Sequence, residues 1–528
     1  MSDSIFTYPR CPSPPRALQV LDLATDRIDG QVAACCLQGL INRNADEKIY
    51  VLNTWCYDNR GGGDNQVHVS RALIDDLYPD LPSTNLPLTE DPDWPGFMAL
   101  WRARGDVAAG LIVWDPALEQ ATIEAATTIA GQLDAVPVSP ALARILTAQG
   151  ARVLVDLRDH AFTDNVACLN WLLENWFDTA NQAVAFTWSH MTTGPRSWGA
   201  ANKDYVVALG LFTFHLDVFN EAEQRVYAHV INRYPPGTPV MGWADERVAD
   251  DLFGNLGYFM VPCISVENLS VHSAVEPSDP SPRPSPAIDF KSDPAGVYVA
   301  CHIADGDNLL HSMVYQVDAI RNDPAFGAVP TTWILNPGMI DLAPRLSAWY
   351  HRVLGDAHGQ EFAAMMGDGH PSSERARGFK AYCRMTHAYL QRNRIQALKV
   401  MAESEAVAWN VQPTIMLGGY NGLDWRGADP LGYHYDGATF HIDAIPAHDT
   451  LDTVKQIIEA SPEAQPLFLN LFCGTAKRKA ICTHVQQVRD DLTVFTQRLG
   501  RRAHFVTSSQ LAAIHQQIGE SAEPTSHL

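Results

Sequence analysis

Two carboxylates separated by a single glycine, Asp305-Gly306-Asp307, are followed by Asn308 at the end of an apolar run. Such a pair can supply acid, base or nucleophile to a hydrolytic reaction, or it can hold a divalent cation. Glycoside hydrolysis needs two carboxyl groups across the sugar, about 5–5.5 Å apart for retention or about 6.5–9.5 Å for inversion. Asp305 or Asp307 would provide one, and Asp368, Glu403 or Asp424 the other, with Asp307 and Asp368 as the preferred pair. One of the two must keep its proton near neutrality, which burial or a neighbouring carboxylate achieves. The plain structural role of Asp307 or Asn308 is a helix cap, and that accounts for one residue of the four. Glu403 with Glu405 equally suits the first turn of a helix, and Asp424 suits a turn beside Gly422.

The elements around these residues place them. Val297, Val299, Cys301 and Ile303 alternate with Tyr298, Ala300 and His302, which predicts a buried strand. Leu309, Leu310, Met313, Val314 and Val317 then recur at helical intervals from about Asn308. Strand-then-helix recurs, with strands expected at Thr331–Leu335, Phe362–Met366, Gln396–Val400, Thr414–Leu417, Thr439–Ile442, Leu467–Phe472 and His504–Thr507. About eight βα units in roughly 230 residues is the size of a (β/α)-barrel, although seven strands or an open sheet also fit. Barrel chemistry sits where strands end. The expected substrate-binding residues are therefore Asn308, Trp333, Asn336, His370, Tyr420, Asn421, Asp424 and Trp425, and the catalytic candidates Asp305, Asp307, Asp368 and Glu403. Polar groups with aromatics suit a sugar. His302, alternating within the strand, reads as a hydrogen-bonded core histidine.

Upstream, Leu18–Leu23 and Ile49–Leu52 read as strands flanking a helix after Asp29-Gly30. Further strands are expected at Leu111–Trp114, Val153–Leu157, Val206–Leu209, Val240–Trp243 and Tyr258–Val261, and helices at Leu118–Leu133, Asn165–Trp176 and Ala222–Arg233. This alternation predicts a layered α/β region over residues 1–275, with room for two subdomains. The proline-rich run at 276–294 is a linker, 295–518 the barrel-like domain and 519–528 a tail. Gly61-Gly62-Gly63 lacks phosphate-loop spacing.

A net charge of −22 argues against nucleic acid and for a neutral or cationic small molecule or a sugar; an oligomer is compatible with the sequence. The ten cysteines contain no C-x-x-C and read as small buried residues in a reducing compartment. Met1 to Pro15 carries four prolines and no apolar core, so no signal peptide is read, and Tyr205–Leu216 is too short to span a bilayer. The expected location is the cytoplasm.

Taken together, these segments resemble the GxGYxYP family, whose proposed activity is glycoside hydrolysis. The similarity lies in L-Q-V-L-D-L…L-Q-G-L-I-N-R (Leu18 to Arg43), Pro235 to Trp243, Asn268 to Ser273, Ala304 to Asn308 against S-D-G-D-N, and Trp333 to Pro337 against W-x-x-x-P. The name-giving motif is degenerate: by position it falls at Met366-Gly367-Asp368-Gly369-His370-Pro371, where His370 replaces the first tyrosine and the second is missing. The resemblance implies an N-terminal α/β region, a glycosidase-like barrel and a carbohydrate substrate, small or internalised. No cofactor is expected under this reading. Two other readings stand beside it. One is a metal-dependent, deacetylase-like hydrolase with a divalent ion on Asp305, Asp307, His370, His441 and Asp443. The other is a carbohydrate-binding protein without turnover.

Overall fold

A computed structural model describes residues 7–54, 69–189, 200–235, 237–245, 248, 252–253, 256–263, 266–276, 293–303, 306, 308–356, 359–365, 379–399, 415–417, 433–436, 439–442, 444–473 and 480–522. It is a mixed α/β structure built on parallel sheets. In the first sheet β1 (Ala17–Asp22) lies between β2 (Glu47–Leu52) and β3 (Ser83–Asn85). In the second, β4 (Gly110–Val113) lies between β5 (Ala135–Val138) and β6 (Val153–Asp156). The third contains β7 (Asn181–Trp188), β8 (Leu211–His215), β9 (Pro239–Trp243) and β10 (Phe259–Pro262) in the order β10-β9-β7-β8. Every ladder in these sheets is parallel, so each connection must cross over a face, and helices do so.

Local chemistry starts those helices. Asp164 accepts from the Ala167 amide at 2.8 Å to begin Asn165–Trp176, as the sequence predicts. Ser139 accepts from Leu142 at 3.1 Å ahead of Pro140–Ala148, with proline in the first turn. The expected strand at Val206–Leu209 is instead the end of a helix, Lys203–Leu209. Gly210, at φ 63°, takes the left-handed position that stops it, and the strand of this apolar run is β8. A fully buried apolar run carries no periodicity to separate the two states.

The edge of β2 is closed by side chains. Asn42 donates to the Ile49 carbonyl at 2.9 Å and accepts from the Ile49 amide at 2.8 Å. Asn268 does the same for Val51, at 3.0 and 2.8 Å, and also accepts from Gln38 at 2.8 Å. Asn42 further donates to Ser270. Two amides thus satisfy an edge that would otherwise be open, and they tie the first sheet to the segment after β10.

The C-terminal half carries one large curled sheet. Its strands are β11 (Val297–Ile303), β12 (Thr331–Leu335), β13 (Gln360–Met365), β14 (Ala397–Lys399), β15 (Ile415–Leu417), β16 (Tyr433–Asp436), β17 (Thr439–Ile442), β18 (Ala444–Pro446), β19 (Leu467–Cys473) and β20 (Ala503–Val506). The order is β16-β17-β15-β14-β13-β12-β11-β19-β18, parallel except for β16. β19 pairs with the whole of β11, while β20 pairs with Val297–Ala300 and β12 with Cys301–Ile303 on the opposite edge. The eighth expected strand therefore does not sit between the seventh and the first. One face, with Val299, Cys301, Trp333, Leu335, Leu398 and Leu469, is buried in a core shared with the first sheet. The other, with Tyr298, Ala300, Ala363, Ala397 and Phe468, packs against Leu511, Ala512 and Ile514 of the last helix, Ser508–Ala522. Three alanines make room for that helix, which extends past the expected domain end.

Nine cysteines are described; all are free and buried, as small core residues are. Among the described residues no helix is long and apolar enough to cross a membrane.

Candidate functional site

β11 delivers the chain to Gly306, which lies against the backbone of β12. A Cβ there would stand 2.5 Å from the Ile334 oxygen and 2.7 Å from the Leu335 nitrogen, so only glycine fits without displacement. The segment flanked by Asp305 and Asp307 is thereby held to the upper part of β12. Asn308, 8% exposed, accepts from the Leu310 amide at 3.0 Å and caps the following helical segment. That segment opens with a π-helical turn, His311–Tyr315, and continues as Gln316–Asn322.

Asp305, Asp307, Asp368, Glu403, His370, Tyr420, Asn421, Asp424, Trp425 and Asp443 lie outside the described residues, and of His441 only its backbone place in β17 is described. Three expected sugar contacts are described: Asn308 is the cap above, and Trp333 and Asn336 are core. Trp333 is wholly buried on the face shared with the first sheet, donating from Nε1 to Gln360 at 2.8 Å and packing edge-on to Phe326. It offers no open ring face. Odd positions of β12 point to that side, which alternation alone cannot label as inner or outer. Asn336 is also buried: its amide donates to Ser312 Oγ at 3.0 Å and its Oδ1 accepts from Gly338 at 2.9 Å, the bonding of a turn. Among the described residues there is no metal-ligating cluster.

The opposite face of the sheet carries a polar group; sequence reading took His302 as a core residue and passed over Lys399. His302, Lys399 and Asn470 are 0, 1 and 1% exposed at the C-terminal half of β11, the end of β14 and the middle of β19. His302 Nδ1 lies 2.8 Å from Asn470 Oδ1, so His302 is indeed a hydrogen-bonded core histidine. Burial pushes its pKa well below the ordinary value; the Lys399 cation adds to this and the Asn470 bond opposes it. Phe472 stands 5.7 Å from the His302 ring and 6.0 Å from Lys399 Nζ. The legible signal was Lys399, a lysine inside an otherwise buried strand, Q-A-L-K-V. Lower on this face, Glu361 accepts from the Ser509 amide at 3.1 Å and from Thr332 Oγ1 at 3.0 Å at the start of the last helix. Burial raises its pKa against those bonds.

The third sheet adjoins the site. Trp188 at the end of β7 forms a buried cluster with Ala201, Leu310 and Tyr315, and half-buried Trp243 of β9 packs on it. β7 and β9 flank the point where the strand order reverses, the place where open α/β sheets present a crevice. Leu310 and Tyr315, of the segment that follows Asn308, pack at that point.

Comparison with known proteins follows the same division. Residues 296–421 match the family profile "GxGYxYP putative glycoside hydrolase C-terminal domain". Residues 108–180 match the second domain of the GxGYxYP N-terminal region, and residues 187–274 match its third domain. The second-domain match holds the sheet of β4, β5 and β6, and the third-domain match begins within β7. A crystal structure of a "putative hydrolase" from Bacteroides thetaiotaomicron VPI-5482 shares the fold with a TM-score of 0.75 at 16% identity, over 97% of this chain and 96% of that one. No curated protein matches. With three consecutive domains of one family matched over most of the chain, in the order of its sheets, this protein belongs to the GxGYxYP family.

Proposed function

We propose that the protein is a glycoside hydrolase whose acids emerge from the C-terminal strand ends of the curled sheet. The observation that supports this is the contact of Gly306, the residue between the two aspartates in sequence, with the backbone of β12. β17 and β18 are separated by Asp443 alone, and they pair with β15 and β19 respectively. In our reading they act as one strand and close the sheet into a seven-stranded barrel, with β20 outside the ring. Closure would set the C-terminal ends of β11, β13 and β14 on one rim, and Asp305, Asp307, Asp368 and Glu403 follow those strands in sequence. One carboxylic acid protonates the leaving oxygen, and a second carboxylate attacks the anomeric carbon or activates water. The substrate is a carbohydrate, consistent with the family match and with a net charge of −22 that disfavours polyanions. A screen of aryl glycosides and oligosaccharides tests the reading. Turnover of one of them, lost by about a thousandfold in Asp307→Asn with the thermal midpoint unchanged, is the expected result. Full turnover in that variant would refute it.

A further inference from the structure

We propose that His302 and Asn470 form a hydroxyl-binding floor on the inner face of the curled sheet, where they hold a ring of the carbohydrate. This rests on the glycosidase reading above and adds to it the residues that hold the substrate. Ala300 pairs with Asn470 and His302 with Phe472, so His302 and Asn470 are diagonal neighbours on one face of adjacent strands. Their mutual bond uses one polar atom of each. The other two, His302 Nε2 and Asn470 Nδ2, are buried and have no partner among the described residues. Elsewhere in the same molecule a buried histidine is fully met: His272 lies between Tyr50 Oη at 3.3 Å on Nε2 and Tyr78 Oη at 2.9 Å on Nδ1. At His302 and Asn470 two side chains bonded to each other each keep an unmet buried atom, an arrangement that a ligand with both a donor and an acceptor would satisfy.

The chemistry of that ligand follows from counting donors. A neutral imidazole has one donor nitrogen and one acceptor. If Asn470 Oδ1 accepts from His302 Nδ1, an acceptor remains at Nε2 and a donor at Nδ2. If the amide is turned round, a donor remains at Nε2 and an acceptor on Asn470. Either way one donor and one acceptor are left unmet. A carboxylate would answer only the donor, and an ammonium only the acceptor. Hydroxyl groups answer both. Burial, with Lys399 adding to it, favours the neutral imidazole, and Phe472 supplies an apolar wall beside it, the environment that a sugar's polar edge and C–H face require. The opposite half of this face is closed by the last helix against Tyr298 and Phe468, so the polar floor lies toward the strand ends that lead to the candidate acids.

The test uses the full chain, labelled with 15N-histidine, and a set of methyl glycosides differing at single ring carbons. The expected result is a glycoside that shifts the His302 Nε2 resonance and binds about tenfold or more weakly to Asn470→Ala. Its monodeoxy analogue lacking the held hydroxyl should lose a similar factor against the wild type and little more against the variant. Asn470→Asp, which keeps the shape and the Oδ1 acceptor, serves where Asn470→Ala does not fold. A glycoside that binds without moving His302 and equally well to the Asn470 variants overturns this inference and leaves the glycosidase reading standing. Wild-type protein that binds none of the set overturns both.

Discussion

Gly306→Ala is the sharpest perturbation of the candidate site that leaves its polar groups untouched. The added Cβ would stand 2.5 Å from the Ile334 oxygen and 2.6 Å from the carbon that bears it. An ordinary carbon–oxygen contact needs about 3.4 Å, so about 0.9 Å must open between the turn and β12. β12 is poorly placed to yield, since it is laddered to β11 and β13 and buried on both faces. Overpacking costs about 1–3 kcal/mol, and an obstacle made of backbone in an interior strand belongs at about 3 kcal/mol. For a domain of roughly 200 residues that lowers the thermal midpoint by about 6–12 °C. Calorimetry of wild type and variant measures it, alongside turnover of whichever glycoside the screen identifies. A midpoint within about 1 °C of wild type would show that the turn is slack and that this contact does not fix the aspartates.

Further consequences can be checked separately. Asn268→Ala leaves the Val51 amide and carbonyl and a Gln38 donor without their buried partner, so a loss of about 2–4 kcal/mol is expected, with amide exchange at Val51 accelerated most. His272 is pushed from 6.5 down to about 4 by burial, so between those values the unfolded chain binds a proton that the folded one refuses. Stability should therefore fall as pH drops from 6.5 to about 4, by about 3 kcal/mol for this group. His272→Gln should flatten that part of the profile in denaturant unfolding. Under carboxylate catalysis, a chelator should leave turnover unchanged, and loss restored by a divalent ion would favour the metal-dependent reading instead.

Much of the frame was legible in the residues. Val297–Ile303, Thr331–Leu335, Asn165–Trp176 and Thr439–Ile442 form where alternation, helical spacing and an aspartate cap place them. These are local properties, set by the pleat, the turn of the helix and the bonding of one side chain to a nearby amide. What the fold alone decided concerns partners far apart in the chain. His302 and Asn470 are separated by 168 positions, and Asn42 and Ser270 by 228. Alternation shows that Trp333 and Leu335 share a side of β12, but a strand buried on both faces carries no mark of which side meets the core shared with the first sheet and which meets the last helix. The strand order had the same limit: β20 reads as an eighth strand by composition, and only the assembled sheet, with β19 already occupying one edge of β11, sends it to the other.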